Sequence, residues 1–98
     1  MAEETEAGPT DDELRAALDR VGVSDVLVEA LMATVSLGFR RVSAEARDLP
    51  QTRLAIESLR ALVPSLEGAV PAEVIRDFNQ MVANLQLAYA KAVTDAGS

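Results

Sequence analysis

The stretch VLVEALMATVSLGF, residues 26–39, is apolar around most of the circumference of a helix. At about 100° per residue, five polar side chains in and beside it fall on one narrow strip, and nearly all the other residues are apolar. That strip consists of Asp25, Glu29, Ser36, Arg40 and Ser43. Such a helix must be covered on more than one side, and two other helices of so short a chain can hardly do that alone. The stretch therefore predicts an all-α fold that completes its core by association.

Start and stop signals predict two helices in the first half of the chain. Thr10 can cap a helix over residues 11–20 while Glu13 reaches back to it, as in a capping box. We expect Gly22 to end this helix in the left-handed conformation, and Ser24 to cap a second helix over residues 25–44. The first helix carries one thin apolar stripe, formed by Leu14, Ala17, Leu18 and Val21.

Proline and aspartate mark two further helices. Asp48 is the expected N-cap of a helix over residues 50–64, in which Pro50 occupies the first turn and Pro64 ends or kinks the last one. Pro71 can open a final helix over residues 71–94, whose apolar positions keep helical spacing for about five turns. No alternation of period two indicates a strand.

These elements predict one all-α domain over residues 10–94, a small three-helix bundle with a short extra N-terminal helix. Residues 1–9 are expected to form a disordered acidic tail, and residues 95–98 a frayed C-terminus. The net charge of −7 lies entirely in the N-terminal third, where nine acids face Arg15 and Arg20. The surplus apolar surface predicts a helical homo-oligomer, most simply a two-fold dimer.

The composition argues against catalysis. The chain has no cysteine and no histidine, which removes disulfides, thiolate nucleophiles, imidazole bases and the usual zinc ligands. Its five glycines are scattered, so no phosphate-binding loop is formed. Glu29 is the only acid in a strongly apolar segment, and we interpret it as an edge residue of a helix rather than a catalytic acid. We therefore expect no enzyme, no catalytic residue, no cofactor and no metal.

We expect the chain neither to bind nucleic acid nor to span a membrane. Residues 18–31 have the layout of a helix-turn-helix, but the second helix would present Val26, Leu27 and Val28 to a groove. The net charge of −7 would also repel phosphate. The longest apolar run, residues 26–39, is shorter than the roughly 20 residues that a spanning helix needs. The N-terminus lacks the features of a signal peptide, so a cytoplasmic location is expected.

Apolar positions beyond those that one small core can use indicate an interface. The predicted function is a non-enzymatic module that self-associates and docks another cytosolic protein through apolar helix faces. The candidate interface residues are Val28, Met32, Val35, Phe39, Leu54, Ala61 and Leu87.

Five arginines within residues 40–60 suggest an alternative. They are ordinary surface arginines in the simpler interpretation, since mixed surface charge is the norm. In the other interpretation they form a patch, and the chain is a small regulatory domain that binds an acidic ligand or partner with the acidic tail as competitor. The candidate patch consists of Arg40, Arg41, Arg47, Arg53 and Arg60.

Two segments, RDLPQTRLAIESLRALVPSLEG and RDFNQMVANLQLAYAKA, resemble a small bacterial family catalogued as domain of unknown function 1844. The resemblance spans roughly residues 25–93 and departs from the family at Pro50 and Gln51, where an acid is expected. It implies a bacterial, cytosolic and helical protein, and it brings no activity or catalytic residue. The matching positions are Asp48, Leu49, Arg53, Ile56, Leu59, Leu85 and Tyr89.

Overall fold

The computed structural model describes residues 8–97, which form four α-helices and, within that range, no strand. The helices are α1 (Asp11–Arg20), α2 (Val23–Val42), α3 (Leu49–Leu62) and α4 (Ala72–Gly97). Short 3-10 turns follow α2 at Ala44–Ala46 and α3 at Val63–Leu66. The all-α prediction is confirmed. Of the predicted disordered tail, residues 1–7 lie outside the described residues.

The predicted capping box at the start of α1 is confirmed. The Thr10 hydroxyl accepts a hydrogen bond from the Glu13 backbone N–H at 3.1 Å, and a Glu13 carboxylate oxygen accepts from the Thr10 N–H at 2.9 Å. Three acids, Asp11, Asp12 and Glu13, occupy the first turn, where the helix dipole favours negative charge. Local chemistry alone therefore accounts for the start of this helix.

Gly22 does not end α1 in the left-handed conformation, and Ser24 does not cap α2, so both predictions are wrong. Gly22 is itself the N-cap of α2, with φ −85°, and its N–H donates to the Asp25 carboxylate at 2.9 Å. A carboxylate three residues into a helix can accept a hydrogen bond from the backbone N–H of the N-cap residue. The helix therefore begins earlier than a serine cap suggests. Within residues 8–97 positive φ occurs at Gly68, at 83°, in the turn before α4.

Helices α2, α3 and α4 pack against one another around one apolar core. Leu59 and Leu85, at the centre of that core, are completely buried. None of the residues of α1 belongs to the core or packs against it. The core residues are Leu31, Val35, Val42, Ala55, Ile56, Leu59, Val63, Leu66, Phe78, Val82, Leu85 and Ala92.

A glycine allows the three packed helices to approach closely. A Cβ at Gly38 of α2 would lie 2.7 Å from Leu85 Cδ2 of α4 and 3.1 Å from the Cβ of Ala55 in α3. Both distances are below ordinary contact between carbon atoms. The helices therefore meet at Gly38 at a separation that a larger residue could not keep.

The ends of α3 and α4 show how caps and prolines work in this chain. The Asp48 carboxylate caps α3 by accepting from the Gln51 N–H at 3.2 Å, as predicted. Pro64 lies in the 3-10 turn that follows α3, so the helix does end near this proline. Helix α4 continues to Gly97, so residues 95–97 are helical rather than frayed, and Ser98 lies outside the described residues.

Helix α1 points away from α2, since the two axes are bent by 81° at Val21 and Gly22. The Cα radius of gyration is 18.4 Å, against about 13 Å for a compact domain of this length. In residues 8–97, none of the helices is by itself long and apolar enough to cross a membrane. The bent pair of α1 and α2 reaches that length and apolar character only when both helices are counted together.

Candidate functional site

One side of α2 presents apolar residues to solvent. Leu31, Val35 and Val42 turn into the core, whereas four residues about 100° or more away around the helix remain exposed. Val26 is 57% and Leu37 is 59% exposed. We call the exposed set, Val26, Ala30, Ala33 and Leu37, the α2 face. Its centre carries only alanines, which would let another helix come close.

A groove of about 280 Å³ runs between α2 and α3 beside the α2 face. The buried residues Gly38 and Ala55 are at its base, and Leu37 and Leu54, both more than half exposed, line it from the two helices. Arg41 supplies its charge. We call this feature the α2–α3 groove, and its remaining lining residues are Thr34, Gln51 and Ser58.

Helix α1 carries a second exposed apolar surface. Leu14 and Leu18 are spaced i and i+4, which places them on one side of α1, and Val21 directly follows the last residue of the helix as its C-cap. They are 49%, 62% and 49% exposed. We call these three residues the α1 stripe. Acids outnumber bases in α1, since Asp11, Asp12, Glu13 and Asp19 stand against Arg15 and Arg20, and Asp12 pairs with Arg15 at 3.8 Å.

The predicted interface residues do not form one surface. Val35 is 6% exposed and belongs to the chain's own core, so it cannot contact a partner while the chain is folded. Val28 is half-buried against the same core. Met32 and Phe39 are only just exposed, at 40% and 38%, and lie on the opposite side of α2 from the α2 face.

The other three predicted interface residues lie on α3 and α4. Leu54 and Ala61 are exposed on the side of α3 that borders the groove. Leu87 is 71% exposed but stands on the polar side of α4, away from the residues that α4 buries. Among the predicted interface residues, Leu54 is therefore the one that lies beside the exposed α2 face, because it lines the same groove as Leu37.

Two of the five arginines of the predicted patch have partners within the chain. Arg53 pairs with Glu57 at 2.9 Å, and the hydrogen bond to that carboxylate raises the pKa of the Arg53 guanidinium. Arg47 donates to the Val42 carbonyl at 3.0 Å. Arg40 and Arg41 are about 100° apart on α2, and Arg60 is exposed on α3. Binding of an acidic ligand by residues 40–60 stays a prediction.

Arg41 differs from Arg47 and Arg53 because its guanidinium has no hydrogen-bond or ion-pair partner in the part of the chain that the structure describes. Its position in the groove lining puts a positive charge next to Leu37 and Leu54. The groove thus combines an apolar surface with one available cation.

A cavity of about 330 Å³ on α3 is lined by Glu57, Arg60 and Ala61. A second cavity of about 450 Å³ lies at the turn before α4 and has Glu67 as its only ionisable lining residue. No group of three or more acidic, histidine or cysteine side chains converges within residues 8–97.

Sequence reasoning missed the α2 face and the α1 stripe as candidate contact surfaces. The spacing of Leu14, Leu18 and Val21 is visible in the sequence, but a helical period does not say whether the chain's own core covers it. Because α2 is apolar around most of its circumference, its sequence does not indicate which side faces α3 and α4. Placement of the packed helices was the missing information.

The described residues form an all-helical fold with exposed apolar surfaces on α1 and α2. No protein-family model, curated protein or solved structure matches the chain. The resemblance to domain of unknown function 1844 therefore stays a prediction.

Proposed function

We propose that this protein is a non-enzymatic helical module whose function depends on self-association, and that the α2 face forms the contact in a two-fold dimer. The observation that carries the proposal is the exposure of Val26 and Leu37, each above one half, on a helix that is apolar on nearly every side. Burying apolar surface contributes about 25 cal/mol per Å², and a second copy offers the same surface in return.

Small residues and charges favour an antiparallel pairing of the two α2 helices. A two-fold axis between Ala30 and Ala33 sets these alanines opposite their counterparts and brings Val26 level with Leu37 of the second copy. Asp25 then lies about 3 Å along the helix from the level of Arg40 in the second copy. Parallel pairing would instead set Arg40 beside Arg40, and like charges repel.

The test is the mass of the protein in solution at micromolar concentration, measured by light scattering for the natural chain and for Leu37→Glu. We expect a dimer for the natural chain and a monomer for the variant, because a charge placed within the contact must be desolvated. Leu37 is exposed in the single chain, so the variant should keep its helical circular dichroism.

Leu87→Glu is the matched control, because Leu87 is also an exposed leucine but lies on the polar side of α4. We expect this variant to stay dimeric. A natural chain that is monomeric at this concentration, or a Leu37→Glu variant that still dimerises, would contradict the proposal.

A further inference from the structure

Helix α1 is well formed but uncovered. It has ten residues and a complete capping box, yet none of its side chains is buried. Isolated helices shorter than about 12–15 residues are marginal in water, and most helices in proteins gain their stability by packing an apolar side. The α1 stripe of Leu14, Leu18 and Val21 is exposed, and none of the core residues within 8–97 covers it.

The α2–α3 groove has complementary properties. Leu37 and Leu54 offer apolar contact, and Arg41 offers a charge that is not neutralised by another described residue. Asp11, Asp12, Glu13 and Asp19 make α1 acidic. An acidic amphipathic helix is therefore the kind of occupant that matches this groove in both hydrophobicity and charge.

The groove of the same chain is out of reach for α1. Counted from Gly22, Leu18 and Leu14 are four and eight residues away, or about 6 and 12 Å along a helix. The groove residues on α2, from Thr34 to Arg41, begin about 18 Å and end about 28 Å from Gly22. Even if α1 folded back along α2, its stripe would stop short of them. An α1 helix that fills the groove must therefore come from another molecule.

We propose that α1 of one copy docks in the α2–α3 groove of a second copy, and that the second copy returns the same contact. The proposal rests on the proposed self-association. The antiparallel pairing described above brings Gly22 level with Arg41 of the second copy, so that α1 starts its course beside the groove. The 81° bend between α1 and α2 then directs α1 away from its own chain.

The groove is small, and small residues lie at its base. Its volume of about 280 Å³ is just below the roughly 300–1,000 Å³ of typical small-molecule sites. The groove is open along one side and its base is made of Gly38 and Ala55, so it suits leucine side chains inserted from a helix.

Cysteine cross-linking tests this contact directly, because the natural chain contains no cysteine. Full-length Leu18→Cys is mixed with full-length Leu54→Cys under mild oxidation, and disulfide-linked pairs are identified by mass spectrometry. We expect the mixed pair to form at least several-fold faster than either self-pair. In the control, Leu87→Cys takes the place of Leu54→Cys; Leu87 on α4 is more exposed than Leu54, at 71% against 55%, and the pair should still show no such preference.

Charge variants add an independent readout. Arg41→Glu should weaken dimerisation about two- to fivefold and slow the mixed cross-link, as expected for one exposed ion pair, whereas Arg41→Lys should retain both. Faster Leu18→Cys self-pairing than mixed pairing would overturn the inference, because α1 would then contact α1. A dimer that shows no preference for the mixed pair would also overturn it while leaving the proposed function intact. A monomeric natural chain would overturn both.

Discussion

Helix α1 and the packed helices α2, α3 and α4 are built from the same kinds of residues but are stabilised differently. In α1, stability comes from the hydrogen bonds between Thr10 and Glu13, and no side chain is buried. In the packed helices, caps such as Asp48 are joined by a core in which Leu59 and Leu85 are fully enclosed. Capping determines where a helix begins, whereas burial determines where it lies. A capped and uncovered helix remains available for association.

Leucine truncation should separate the two regions most strongly. Leu59→Ala leaves a cavity in the core and should lower the free energy of unfolding by about 2–5 kcal/mol. Leu18→Ala removes a side chain that is 62% exposed and should change it by about 0.5 kcal/mol or less. Both are measured by urea unfolding in the Leu37→Glu background, which isolates the single chain. Equal losses of unfolding free energy in the two variants would show that α1 packs against α2, α3 and α4.

Glycine substitution tests how tightly the packed helices meet. Gly38→Ala should destabilise the chain by about 1–2 kcal/mol, because Ala55 and the enclosed Leu85 leave no room for the added methyl group, and the cost exceeds the helix propensity gained. Gly97→Ala is the control, since no atom lies within 4 Å of a Cβ at that position. Thermal unfolding measures both. A Gly38→Ala protein that is more stable than the natural chain would mean that the helices can separate without cost.

The sequence predicted all four helices because their signals are local. Thr10 with Glu13, and Asp48 with Pro50, lie within a turn of the ends that they define. The burial of Val35 was not predictable in this way, because α2 is apolar around most of its circumference and only the placement of α3 and α4 selects the buried side. Gly22 was assigned to the wrong helix, because one glycine can follow one helix or begin the next.

Removal of two caps should distinguish local from global stability. Asp48→Ala removes the cap of α3, and because α3 is part of the core it should cost the whole chain about 0.5–2 kcal/mol. Thr10→Ala should unfold α1 while leaving the urea midpoint of the packed helices unchanged. Circular dichroism together with amide exchange separates the two effects in the Leu37→Glu background. A shifted urea midpoint for Thr10→Ala would indicate that α1 unfolds cooperatively with the packed helices α2, α3 and α4.

The smallest expected effect is an acid-dependent loosening of α1. The pKa of the Glu13 carboxyl is lowered by the hydrogen bond that the carboxylate accepts from the Thr10 backbone N–H and, second, by hydrogen bonding with the Thr10 side chain. A lowered pKa in the folded state means that ionised Glu13 stabilises the helix. This contribution is complete above the ordinary carboxyl pKa of about 4.3 and is lost as the pH falls through the lowered value.

Amide exchange of Thr10 and of the first turn of α1, followed by NMR from neutral to acid pH, measures this loss. Glu13→Gln preserves the capping partner without a titrating group, so its α1 should show a weaker pH dependence than that of the natural chain. An identical dependence in the variant would assign the effect to other acids.

The solution mass of the natural chain tests the central claim most directly, namely that the exposed apolar surfaces of α1 and α2 exist to meet a second copy. Light scattering at micromolar concentration should give twice the chain mass of 10.4 kDa, and Leu37→Glu should return it to 10.4 kDa. A natural chain that stays at 10.4 kDa under these conditions would contradict the claim.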